Sequence, residues 1–103
     1  MAAENDLRVV DNPGKLRYEL WLGETHAGSI EYRSEPGTIV LVHTEVDEAF
    51  GGQGLGSRLA AGALDDIRAR GLKLVPVCPF IHSYLRRHPE YGELVVGDAA
   101  IPE

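Results

Sequence analysis

A chain of 103 residues, with a formal net charge of −6 from 10 basic and 16 acidic residues, is long enough for one domain around one core. Its 44% hydrophobic and 25% charged content is that of a globular protein, and the acidic surplus argues against nucleic-acid or anionic-membrane partners. The lone Cys78 excludes an intramolecular disulfide and suits a reducing compartment; with no apolar leader after Met1 and no run long enough for a bilayer, the expected location is cytoplasmic.

The expected domain covers 5–98, with flexible tails at 1–4 and 99–103. Leu7 to Val10 reads as a short strand. Asp11-Asn12-Pro13-Gly14-Lys15 reads as a turn in which Gly14 takes the unusual dihedral. Leu16 to Leu22 is the second strand, with Tyr18, Leu20 and Leu22 on one face. Gly23-Glu24 makes a hairpin into a third strand, His26 to Arg33, and Glu35-Pro36-Gly37 turns the chain again. Thr38 to Val46 is the strongest strand, and its run Ile39-Val40-Leu41-Val42 suits a central strand covered on both faces.

From Leu55 to Arg70 the period changes to helical. Leu55, Leu59, Ala63 and Ile67, with Leu64 beside them, form an apolar stripe that Gly71 ends. Leu72 to Val77 is a fifth strand, Pro79 to Arg87 a second helix, and Glu93 to Val96 a final short strand. The fold class is α+β: a mixed sheet, antiparallel first, with one crossover.

Gly51-Gly52-Gln53-Gly54-Leu55-Gly56 joins the strongest strand to the first helix. Glycines there bare backbone N–H groups at the positive end of a helix, which suits a pyrophosphate; they also suit a tight turn with no ligand. A P-loop is excluded because Ser57-Arg58 follows Gly56 where Lys-Ser or Lys-Thr is needed. A dinucleotide fingerprint is excluded because Leu59 or Ser57 falls where its last glycine belongs.

The spacing and its surroundings resemble motif A of the GNAT superfamily of acyl-CoA N-acyltransferases. His43 to Phe50 leads into the glycines. Leu72 to Phe80 looks like the next, splayed strand of that family, and Tyr84 to Tyr91 like its closing helix. More narrowly, the chain resembles a small single-domain branch with a cysteine beside the acetyl site. The resemblance implies acetyl-CoA as donor, an amine as acceptor, and cofactor contacts from Thr44, Glu45, Val46, Gly51, Gly52, Gln53, Gly54, Leu55, Gly56, Ser57, Arg58 and Pro79. Gly51 stands where motif A usually carries Gln or Arg, a loss that Gln53 or Arg58 would offset.

Cys78 precedes Pro79, and proline favours the first position of a helix, so Cys78 falls at the N-cap, where the helix dipole favours a thiolate. Two readings stand: a nucleophile that carries the acetyl group, or a small core residue beside a direct attack by the amine. His43 and Glu45 share one face of their strand, Thr44 and Val46 the other. His43, ahead of Glu45, is a candidate base for the ammonium; otherwise His43 orients the loop and Glu45 is solvated. Tyr84 matches the family's proton donor to CoA, or is a core aromatic. Arg58, Arg86 and Arg87 reach phosphates or are solvated. His26, His82 and His88 make no ligand pattern with Cys78, so no metal is expected. The reading is a monomeric N-acetyltransferase acting on a small-molecule or protein amine; the alternative is a CoA-binding module without turnover.

Overall fold

The structure, a computed structural model, describes residues 7–50 and 54–96. Strands β1 (Leu7–Asn12), β2 (Arg17–Leu22), β3 (Thr25–Glu35), β4 (Thr38–Val46) and β5 (Lys73–Pro76) form one sheet in that order. The first four run antiparallel as successive hairpins. β5 lies parallel to β4, and helix α1 (Leu55–Ala69) supplies the crossover that parallel neighbours require. Helix α2 (Pro79–Arg87) follows β5.

The turns follow from their residues, with one exception. Gly23 (φ 58°) and Gly37 (φ 72°) supply the left-handed positions of two-residue hairpins, and Gly71 (φ 71°) ends α1. In the first hairpin the left-handed residue is Leu16 (φ 55°), not Gly14. Its carbonyl accepts the Tyr32 N–H at 2.9 Å, which holds the conformation, and its side chain is exposed.

Tyr18 and Leu20 of β2, Ile30 and Tyr32 of β3, and Ile39 and Leu41 of β4 form one core cluster with Leu59, Ala60, Ala63, Leu64 and Ile67 of α1 and Ile81, Tyr84 and Leu85 of α2. The face expected of β2 is thus the buried one, with Leu22 packed at its margin. On the alternate positions Glu31, Arg33, His43 and Glu45 are exposed. The expected two-sided burial of β4 stops at Leu41: Val42 is 37% exposed. The cause is a bulge. Glu31 pairs with His43 and Tyr32 with Leu41, which leaves Val42 as an extra residue.

The expected strand at 93–96 is reduced to a single parallel bridge, Leu74 to Val95. Pro89–Leu94 is a 3-10 segment, and the Tyr91 hydroxyl donates to Asp65 of α1 at 2.7 Å. That tie keeps the chain turning over α1 until Leu94. Among the described residues no helix is long and apolar enough to cross a membrane.

Candidate active site

β4 and β5 pair only from Thr38 with Lys73 to Leu41 with Pro76. Beyond that point β4 continues to Val46, while the other chain turns away through Val77 into α2. The Cys78 N–H donates to the Leu41 carbonyl at 2.9 Å, pinning the place where the strands part. Among the described residues no strand pairs with the β5-side edge of β4 past Leu41, so an amide-bearing chain can lie along it. Cys78 is the N-cap of α2 and Pro79 its first residue, as the dipeptide requires.

The bulge decides which side chains meet Cys78. Leu41 belongs to the core face, and in an unbroken strand His43 and Glu45 would follow it there. The extra residue reverses that alternation. Thr44, paired with Ile30, takes the core side, and its Oγ1 lies 3.1 Å from Cys78 Sγ. His43 and Glu45 fall on the opposite face, 56% and 75% exposed at the side chain, with Nε2 and Oε2 3.9 Å apart. Cys78 itself is only 2% exposed.

Tyr84 is buried on α2, its ring stacked on His88 at 4.1 Å. Burial, then the charges of Asp65 and Glu90, push its hydroxyl above the ordinary tyrosine value, so it holds its proton at neutral pH. Arg86 and Arg87 are exposed in the last turn of α2.

At the start of α1, Gly54 is left-handed (φ 72°, ψ 16°) and, being glycine, brings no side-chain cap of its own. The first turn carries no carboxylate. N–H groups at such a helix start suit an anion. Leu55 is a core residue, so only its backbone can serve such a ligand. Gly56 has a packing reason as well: a Cβ there would come within 2.9 Å of the Phe80 ring of α2. Ser57 is half-buried and Arg58 exposed. Gly51, Gly52 and Gln53 lie outside the described residues.

The sequence reading missed an open cleft of about 490 Å³ between the start of β3 and the end of β4, lined by His26, Ser29, Glu45, Asp47 and Glu48. Only the proximity of two strand ends creates it, and no local signal announces it. Gly28 belongs to the same place; a Cβ on it would lie 2.7 Å from the Glu45 carbonyl oxygen. Among the described residues no group of three His, Cys, Asp or Glu side chains is placed to hold a metal ion.

This arrangement of an interrupted β4–β5 pair, a glycine-led helix and a closing helix defines the class. The model of the GCN5-related N-acetyl-transferase family matches residues 17–94, and the chain belongs to that family. It is 30% identical over 95 residues to Protein NATD1 of Danio rerio, covering 87% of this chain and 86% of the relative. It is 29% identical over 92 residues to Protein NATD1 of Xenopus tropicalis, covering 86% and 84%. The fold is shared with a GCN5-like protein of Staphylococcus aureus, at a TM-score of 0.67 and 24% identity over 89% of this chain and 90% of that one. It is also shared with the ribosomal-protein-S18-alanine N-acetyltransferase of Escherichia coli, at a TM-score of 0.54 and 23% identity over 62% and 42%.

Proposed function

We propose that this protein transfers an acetyl group from acetyl-CoA to a primary amine through acetyl-Cys78, in a reducing, cytoplasmic setting that keeps the thiol free. The observation that carries the reading is Cys78 at a helix N-cap where β4 and β5 separate, beside an open edge of β4. The backbone of Thr44, Glu45 and Val46 would hold the pantetheine arm, and the N–H groups after Gly54 the pyrophosphate. The glycines from Gly51 and the Arg58 side chain would complete that grip.

Cys78 first gives its proton to a solvent base. Its sulfur then bonds to the acetyl carbonyl carbon as the carbon–sulfur bond to CoA breaks. The departing CoA sulfur takes a proton from the Tyr84 hydroxyl, which regains one from water. Solvent removes a proton from the acceptor ammonium, because His43 lies exposed on the opposite face of β4 from Cys78, and the amine nitrogen attacks acetyl-Cys78. The carbon–sulfur bond to Cys78 breaks as the amide forms, and the second proton lost by the nitrogen passes through solvent to the Cys78 sulfur.

Intact-mass measurement after incubation with acetyl-CoA tests this. One added acetyl group is expected, absent in Cys78→Ser and discharged by an amine from a broad acceptor screen. Equal amine acetylation by the native chain and Cys78→Ser overturns the covalent step in favour of direct attack. Binding of CoA with no adduct and no amine acetylated supports a cofactor-sensing module instead. A thermal midpoint unmoved by CoA overturns the donor assignment itself.

A further inference from the structure

Family membership does not say what prepares a buried sulfur for reaction. Cys78 is almost fully enclosed, and as an N-cap it makes no side-chain bond to its own helix. Among the described residues its sulfur has one polar side-chain neighbour, the Thr44 hydroxyl at 3.1 Å. That neighbour is there because of the bulge at Val42, which puts Thr44 rather than His43 or Glu45 on the core side of β4. A hydroxyl is both donor and acceptor. It accepts from the S–H of the resting thiol and, by rotating, donates to the sulfur after the proton has left. Valine, similar in shape, does neither. Threonine is also stiff about χ1, so the oxygen is held rather than searching.

We propose that Thr44 is the positioning residue of Cys78, holding its sulfur in the gap between β4 and β5 and donating to it while it is charged. The proposal rests on the reading of Cys78 as nucleophile for its purpose but not for its test. Because Cys78 is the only cysteine, a small thiol reagent such as methyl methanethiosulfonate reports on it alone. The native chain, Thr44→Val and Thr44→Ser would each be followed by intact mass, with far-UV circular dichroism confirming the fold. Thr44→Val is expected to slow modification of Cys78 roughly tenfold, the worth of one hydrogen bond to a charged group. Thr44→Ser, which keeps the oxygen, is expected to restore most of the rate. Acetyl adduct formation from acetyl-CoA should follow the same order.

Equal modification rates in the native chain and Thr44→Val overturn the proposal. So does a Thr44→Ser rate as low as that of Thr44→Val, since shape rather than the hydroxyl would then matter. If Thr44→Val fails to fold, Thr44→Ala takes its place with the same expected loss. A native chain that shows no acetyl adduct, yet shows the tenfold effect with the thiol reagent, sinks the covalent mechanism and leaves the Thr44 assignment standing.

Discussion

Glu19 is 5% exposed on a strand, yet it is a carboxylate. Its Oε2 accepts from Arg17 Nε at 2.7 Å and from Asn12 Nδ2 at 3.1 Å, and its Oε1 from Trp21 Nε1 at 3.1 Å. Burial works to raise its pKa, but the bonds from Arg17, Trp21 and Asn12, with the Arg17 charge, outweigh it and hold the carboxyl below the ordinary value. A lowered folded value means that stability is present above the unfolded pKa and is lost as pH falls through the folded one. Glu19→Gln is expected to cost about 2 kcal/mol at neutral pH by denaturant titration. The gap from the native chain should narrow on acidification. Equal stability of the two chains at neutral pH would show the network to be ornamental. Nothing in the sequence singles out Glu19, because Arg17 and Trp21 read as ordinary strand positions and Asn12 as part of a turn.

At the scale of elements, local chemistry explains most of the fold. Alternation marks Tyr18, Leu20 and Leu22, the four-residue period marks α1, and Cys78-Pro79 marks the start of α2. The bulge was hidden because Ile39 to Val42 is a uniform apolar run; register is fixed by β3 across the sheet, not by β4 alone. The pairing of Thr44 with Cys78 was therefore out of reach of the sequence, although the Cys78 N-cap and the two faces of His43 and Thr44 were not. Gly62 was equally silent. In a helix interior alanine is favoured over glycine by about 1 kcal/mol. Here a Cβ would lie 2.6 Å from Val9 Cβ and 2.7 Å from its Cγ2, atoms of a stiff side chain that cannot swing aside. Overpacking costs about 1–3 kcal/mol, so Gly62→Ala is expected to destabilise despite its better propensity. A denaturation midpoint above that of the native chain would show that α1 simply rides up over β1.

Across the whole molecule, tyrosines tie the sheet and the last segment to α1. Tyr18 donates to Asp66 at 2.7 Å, where Arg70 joins from 3.2 Å and also reaches Asp11 at 3.1 Å. Tyr32 donates to Asp11, and Tyr91 to Asp65. Each hydroxyl faces a carboxylate, so an ionised phenol would put two negative charges side by side. Burial first, then that hydrogen bond and its charge, push Tyr32 and Tyr91 up to about 12, and Tyr18 further by the same causes. In the unfolded chain they titrate near 10. The folded values are raised, so the stability these groups contribute is intact below about pH 10 and is lost as pH climbs toward the folded values. Each group that keeps its proton only in the fold removes about 1.4 kcal/mol per pH unit in that window. Three together remove about 4 kcal/mol per pH unit, so about two units above pH 10 reach the lower part of a typical domain's 5–15 kcal/mol. Unfolding is therefore expected to precede ionisation. Tyrosinate absorbance and far-UV circular dichroism should change together in one steep transition above pH 10. A smooth tyrosinate titration near pH 10 with the circular dichroism unchanged would mean that the phenols are not locked to Asp11, Asp65 and Asp66, and that apolar packing alone clamps the sheet to α1.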